Sequence, residues 1–188
     1  MKKIFLNIIS LILIFLFMNT ANAQSNKIDN PENILYIDLK DGRVVIELLP
    51  NIAPNHVNRI KTLARQKFFD GIVFHRVIDG FMVQTGDPTG TGMGGSKLPD
   101  LKAEFSDEPH IRGTLSMARA SDPNSANSQF FIVTKDSRFL DNQYTVFGRV
   151  IKGMEFVDKI KKGNSQQNGK VENPDSMIKV RVASDEKK

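Results

Sequence analysis

Apolar and polar positions alternate with a period of two in two neighbouring stretches. Leu35, Ile37 and Leu39 share one side of residues 34–40, and Val44, Ile46 and Leu48 repeat the pattern. Asp41-Gly42 lies between them and suits a two-residue type I′ hairpin turn, in which both central positions need positive φ. The period then changes. Over residues 53–67, Val57, Ile60, Leu63 and Ala64 form a helical stripe with Pro54 in the first turn. Short β-like runs follow at 73–78, 81–85, 113–119, 129–134 and 146–151, separated by turns containing Gly or Pro. A second helix is predicted over 153–162, where Met154, Val157 and Ile160 share a face. A polar loop at 163–176 then leads to a last alternating strand carrying Ile178, Val180 and Val182. About eight strands and two helices in one domain make the chain mainly β, either a closed antiparallel barrel or a sandwich, which periodicity does not separate.

Ahead of this region, Lys2 and Lys3 precede an apolar run from Ile4 to Met18, broken only by Asn7 and Ser10, and Ala21-Asn22-Ala23 follows. That order of basic, apolar and small residues predicts a signal peptide over 1–23. The run is shorter than the roughly 20 residues that span a bilayer, so an uncleaved anchor is the weaker alternative. Cleavage after Ala23 leaves a polar linker at 24–33, a domain at 34–183 and a polar tail at 184–188. The expectation is an exported, periplasmic protein with no stable membrane anchor after cleavage, full secretion being the other destination. The chain has no cysteine, so neither disulfides nor a lipidated junction can form. Removing Lys2 and Lys3 lowers the net charge from +5 to +3, and the remaining basic residues are interspersed with acidic ones. Nucleic acid is therefore not an expected partner, and a monomer is expected.

The stretch most informative about chemistry is FHRVIDGFMVQTGD at 74–87. On strands, residues two apart share a face, which groups Phe74 with Arg76, Phe81 with Val83 and Met82 with Gln84, and puts His75 opposite Arg76. A permanent guanidinium beside Phe and Met suits a site that binds an apolar group while donating hydrogen bonds to it. An arginine paired with a surface carboxylate, above an aromatic core, fits the same residues.

Three further segments separate the two: GTLSMARA at 113–120, NSQFFIVT at 127–134 and FLDNQYTVFGRV at 139–150. Together with the first, and in this order from about Ile34 to Val182, they resemble the cyclophilin family of peptidyl-prolyl cis-trans isomerases. The resemblance implies an eight-stranded antiparallel barrel closed by two helices, with the active site in a groove on its outer surface. It implies Arg76 as the catalytic residue. Phe81, Met82, Phe131 and Leu140 would form the proline pocket, with Phe139 and Tyr144 on its rim. Gln84 and Gln129 would hold the substrate backbone or the arginine, and Ala118 and Arg119 would line the groove. The implied reaction is rotation about X-Pro bonds in unfolded or flexible exported polypeptides, with no cofactor and no metal. A proline-binding chaperone or interaction module with incidental turnover is the alternative function. Phe139, Tyr144 and Arg119 stand where the best-known eukaryotic members carry Trp, His and Asn, choices similar to the bacterial branch. Loss of the indole N–H implies weak binding of cyclosporin, a family ligand.

His56, His75 and His110 are expected to be structural or surface residues. Gly90-Thr91-Gly92-Met93-Gly94-Gly95 matches the dinucleotide pattern GxGxxG, but Ser96-Lys97-Leu98-Pro99-Asp100 follows in place of a helix. The glycines are expected to shape a loop beside the groove.

Overall fold

The computed structural model describes residues 30–186. The expected signal peptide, most of the linker and the last two residues lie outside the described residues. One antiparallel sheet organises the chain: β1 (Ile34–Leu39), β2 (Gly42–Leu48), β3 (Arg76–Ile78), β4 (Met82–Thr85), β5 (Thr114–Met117), β6 (Phe130–Val133), β7 (Val146–Lys152) and β8 (Lys179–Val182). Their order across the sheet is β3-β4-β6-β5-β7-β2-β1-β8. Bulges between Val45 and Ile46 and between Leu115 and Ser116 shift the pairing with β7, and such bulges bend a sheet.

The closed barrel and the sandwich are both corrected here: the eight strands form an open half-barrel whose edges, β3 and β8, do not pair. Residues 163–178 fill the seam instead. Gly169 O accepts from Val77 N at 2.8 Å, Asp175 O from Phe74 N at 2.9 Å, and Asp38 O from Ile178 N at 2.8 Å. This segment cannot become a ninth strand, because Pro174 lacks a donor and Asn168 and Asn173 sit at φ +53° and +49°. Ile178 precedes β8 and is exposed, so only Val180 and Val182 of the expected apolar trio face inward.

Helix α1 (Pro54–Arg65) lays Val57, Ile60, Leu63 and Ala64 on the concave face of the sheet. No side chain of its own caps it. Glu104 does so from a distant loop, accepting from the Asn55 and His56 amides at 3.2 and 3.1 Å and from His56 Nδ1 at 2.6 Å. That places an anion where the first-turn N–H groups and the helix dipole favour one. The second helix is much shorter than expected. α2 (Met154–Val157) is a single turn, after which Lys159 and Ile160 donate to carbonyls only three residues back. Ile160 remains buried, so the apolar pattern survives without the helix.

The first hairpin also departs by one residue. Leu39 pairs with Gly42, so Lys40-Asp41 form the turn, and neither has positive φ. Gly42 follows at φ +151°, and a Cβ there would come within 2.5 Å of the Phe156 ring.

Two apolar clusters lie on opposite sides of the sheet. The main core holds the edge-to-face series Phe69–Phe130–Phe147, with centroids 5.7 and 5.9 Å apart. The second contains Met82, Phe131, Val133 and Leu140 on the outer face. Along β6, Phe130 and Ile132 enter the first, whereas Phe131 and Val133 enter the second. Burial on both faces explains why the FFIV run is continuously apolar.

Candidate active site

The outer cluster floors a cleft of ≈ 810 Å³ that also contains Arg76. Short pairing between β3 and β4 puts Arg76 opposite Gln84. Arg76 Nη1 donates to Gln84 Oε1 at 3.0 Å. Its Nε and Nη2 donate to the main-chain oxygen and Oδ1 of Asn168 at 3.0 and 2.9 Å. Three of the five N–H groups of a guanidinium are thereby used to fix its plane, and two remain for a ligand. All three acceptors are neutral amides. Burial pushes the Arg76 pKa down from its ordinary value, with Tyr144 acting in the opposite sense, but a guanidinium stays charged at any physiological pH.

A chain of amides continues from the arginine. Gln84 Nε2 donates to Gln129 Oε1 at 2.9 Å, and Gln129 Nε2 donates to the carbonyls of Gly92 and Gly94 at 3.0 and 2.8 Å. Gln129 thus holds the glycine-rich loop and reaches Arg76 only through Gln84. From below, Asp87 accepts from the amides of Thr89, Thr91 and Gly92 at 2.7, 3.1 and 2.6 Å. Burial alone would raise the Asp87 carboxyl, but hydrogen bonds from the Thr89 amide and hydroxyl and from the Gly94 and Gly92 amides outweigh it and hold it at about 2. The loop is a pinned wall of the cleft, and it leads into no helix.

The apolar part of the cleft is built from Phe81, Met82, Phe131 and Leu140, with Ala118 and Tyr144 packed against them. The Phe131 and Tyr144 rings meet edge to face at 5.8 Å, and Phe139 lies 5.5 Å from Phe81 with 66% of its surface open. Arg119 covers Tyr144, its guanidinium carbon 4.6 Å above the ring, and donates to the main-chain oxygens of Gln143 and Ala120. All eleven residues singled out in the sequence except Gln129 line this one cleft, and Gln129 supports its wall.

Strand alternation placed two neighbours wrongly. Phe74 lies in the main core, away from Arg76, and His75 lines the same cleft as Arg76. The regular strand begins only at Arg76, so the two-residue period does not extend back to Phe74. Similarly, Phe81 precedes β4 and joins Met82 in the outer cluster, while Val83 points inward. His110 is fully buried behind Phe131, stacked at 6.3 Å, with Nδ1 3.0 Å from Asp141 and Nε2 3.0 Å from Ser116. This Ser–His–Asp alignment has the spacing of a nucleophilic triad, but Ser116 is also fully buried and hydrogen-bonded to Thr145 O. No substrate can reach it, so its role is to back Phe131.

Asn168 and Lys170 also border the cleft and were not found from the sequence, and Thr91 and Met93 come with the glycine-rich loop expected beside the groove. They sit in polar or glycine-rich loops without periodicity, where only the fold brings them to Arg76.

An ordered apolar pocket beside a guanidinium that has no carboxylate partner among the described residues can take up a ring and offer it hydrogen bonds without any nucleophile. Comparison with known proteins agrees with this geometry. The family model described as cyclophilin type peptidyl-prolyl cis-trans isomerase matches residues 34–182. A probable peptidyl-prolyl cis-trans isomerase of Brucella suis is 50% identical over 184 residues, covering 92% of this chain and 94% of the relative. The crystal structure of a cyclophilin from Hirschia baltica superposes with a TM-score of 0.75 at 30% identity, over 84% of this chain and 76% of that one. A Cryptosporidium parvum cyclophilin-type isomerase, crystallised in the presence of the dipeptide Ala-Pro, has a TM-score of 0.72 at 28% identity, over 79% of this chain and 98% of that one. With match, fold and cleft in accord over nearly the whole described region, the chain belongs to the cyclophilin-type peptidyl-prolyl cis-trans isomerases.

Proposed function

We propose that this isomerase acts on X-Pro bonds of unfolded or flexible exported polypeptides, with Arg76 as the catalytic residue and the outer apolar cluster as the proline pocket. The peptide bond resists rotation because of amide resonance, with a barrier of about 18–20 kcal/mol. Twisting breaks that conjugation and leaves the proline nitrogen a better hydrogen-bond acceptor. A donor fixed beside it binds the twisted state more tightly than either planar isomer, and only such differential binding accelerates rotation. Met82, Phe131 and Leu140 grip the ring while the preceding carbonyl swings.

The observation that carries this reading is the guanidinium held by three neutral acceptors at the edge of an apolar pocket. The Ala-Pro dipeptide used with the Cryptosporidium relative supports a proline-sized ligand here. The leader pattern of residues 1–23 supports action after export, in the periplasm, where proline isomerisation would otherwise limit folding. Phe139 offers no hydrogen-bond donor at the open rim, which supports weak cyclosporin binding.

A protease-free isomerisation assay on an X-Pro peptide tests the assignment. Arg76→Ala should lower kcat/KM by about 10²–10³, the usual cost of losing a transition-state donor. Equal rates for variant and wild type overturn the role of Arg76, and rates equal to the uncatalysed exchange for both overturn the catalytic reading.

A further inference from the structure

The charges around the cleft are distributed unlike those on the rest of the protein. Six of the nine arginines, Arg43, Arg65, Arg112, Arg138, Arg149 and Arg181, pair with carboxylates. Arg59 is committed to the carbonyls of Pro99 and Asn127. The remaining two, Arg76 and Arg119, both line the cleft, and among the described residues both donate only to neutral oxygens. Lys170 lines it as well, its backbone bridged to that of Arg76. Among the described residues its exposed ammonium has no carboxylate partner; the lysines that do are Lys40, Lys61, Lys162 and Lys179.

None of the residues lining the cleft is Asp or Glu. Asp87 stands behind the glycine-rich loop, but its oxygens are taken by Thr89, Thr91 and Gly92. Asp79, in the turn between β3 and β4, lies 3.7 Å from Lys162. His75 lines the cleft too, and burial lowers its pKa, so it adds no charge at neutral pH. Among the described residues, three cations therefore face one concave surface without counter-ions, and a concave low-dielectric wall focuses their field outward. Rotation of an X-Pro bond calls for only one of them.

We infer that the cleft selects X-Pro segments flanked by acidic side chains, Arg119 and Lys170 supplying attraction that the chemical step does not use. This rests on the isomerase reading of the same cleft and names its substrate class. At roughly 8 Å in water, each cation favours a carboxylate about twofold, so the pair gives about fivefold at low salt.

The experiment compares blocked X-Pro peptides identical except for Glu, Gln or Lys flanking the X-Pro pair, assayed with the wild-type protein and Lys170→Gln. Expected kcat/KM runs Glu over Gln over Lys, by about fivefold per step in low salt, and converges near 1 M salt, where the screening length is about 3 Å. Lys170→Gln should shrink the Glu-to-Gln ratio about twofold, since one of two attracting charges is gone. Each ratio is taken on one protein preparation, so loss of folded enzyme cancels. Equal turnover of the three peptides at low salt, or a ratio unmoved by Lys170→Gln, overturns the charge preference while leaving the isomerase intact. Turnover of none of them overturns the isomerase reading, and the preference falls with it.

Discussion

Asn168 gives the sharpest test of how Arg76 is held. Its main-chain oxygen and Oδ1 accept two of the three hydrogen bonds that orient the guanidinium, at 3.0 and 2.9 Å, yet it is 92 residues away in sequence and lies in the segment that fills the seam. Its φ of +53° is left-handed, so Asn168→Gly removes the side-chain acceptor without backbone strain. The lost bond is charge-assisted, but Asn168 is exposed and water replaces part of it. About 1 kcal/mol of orientation is then at stake, which is about fivefold in rate. The apolar pocket is untouched, so the loss should appear in kcat with KM changed by less than about twofold. Asn168→Ala should lower kcat equally but also cost about 1 kcal/mol of stability, because Ala resists the left-handed region. Steady-state isomerisation and thermal unfolding of both variants separate the two effects. A folded Asn168→Gly enzyme with wild-type kcat would refute the positioning role, and a loss in Ala but not in Gly would assign the effect to loop strain.

Two further outcomes follow from burial and close approach. His56, His75 and His110 all have pKa values lowered from 6.5, first by burial, opposed respectively by Glu104, Asp87 and Asp141 and assisted by Arg59, Arg76 and Arg138. The unfolded chain therefore takes up protons first, and stability should fall as pH drops below about 6.5, by up to about 1.4 kcal/mol per pH unit for each histidine. Denaturation midpoints measured at pH 7, 6 and 5 that stayed level would contradict this. Gly86 sits at φ +88° with a notional Cβ 2.2 Å from Ser128 O and 2.8 Å from Gln129 Cα, both backbone atoms. Gly86→Ala should lose about 3 kcal/mol or more, whereas Gly71→Ala, at φ +81° with nothing within 4 Å, should lose only about 1 kcal/mol. Equal melting temperatures for the two would show that the close approach is not limiting.

Periodicity located α1 and the half-buried strands, because a half-buried strand or helix must repeat its apolar residues at its own period, whereas β5 and β6, buried on both faces, stand out only as short β-like runs between Gly- and Pro-containing turns. The four ordered motifs located most of the cleft, since Arg76, Met82, Gln84 and Phe131 lie within strands that carry them to one face, and Leu140 joins them from a 3-10 turn ahead of β7. The same rule failed where regular structure stops. His75 and Phe74 precede the first residue of β3, and α2 gives way to a turn although Val157 and Ile160 keep their burial. The sequence by itself therefore determined the family, the strand count and the residues that make the pocket. Tertiary structure decided that the sheet stays open and that a polar, proline-containing segment fills its seam. It also decided that Asn168 and Lys170 of that segment stand beside Arg76. Contacts of that kind are made by loops, whose residues answer to no local period, so nothing short of the folded chain brings them together.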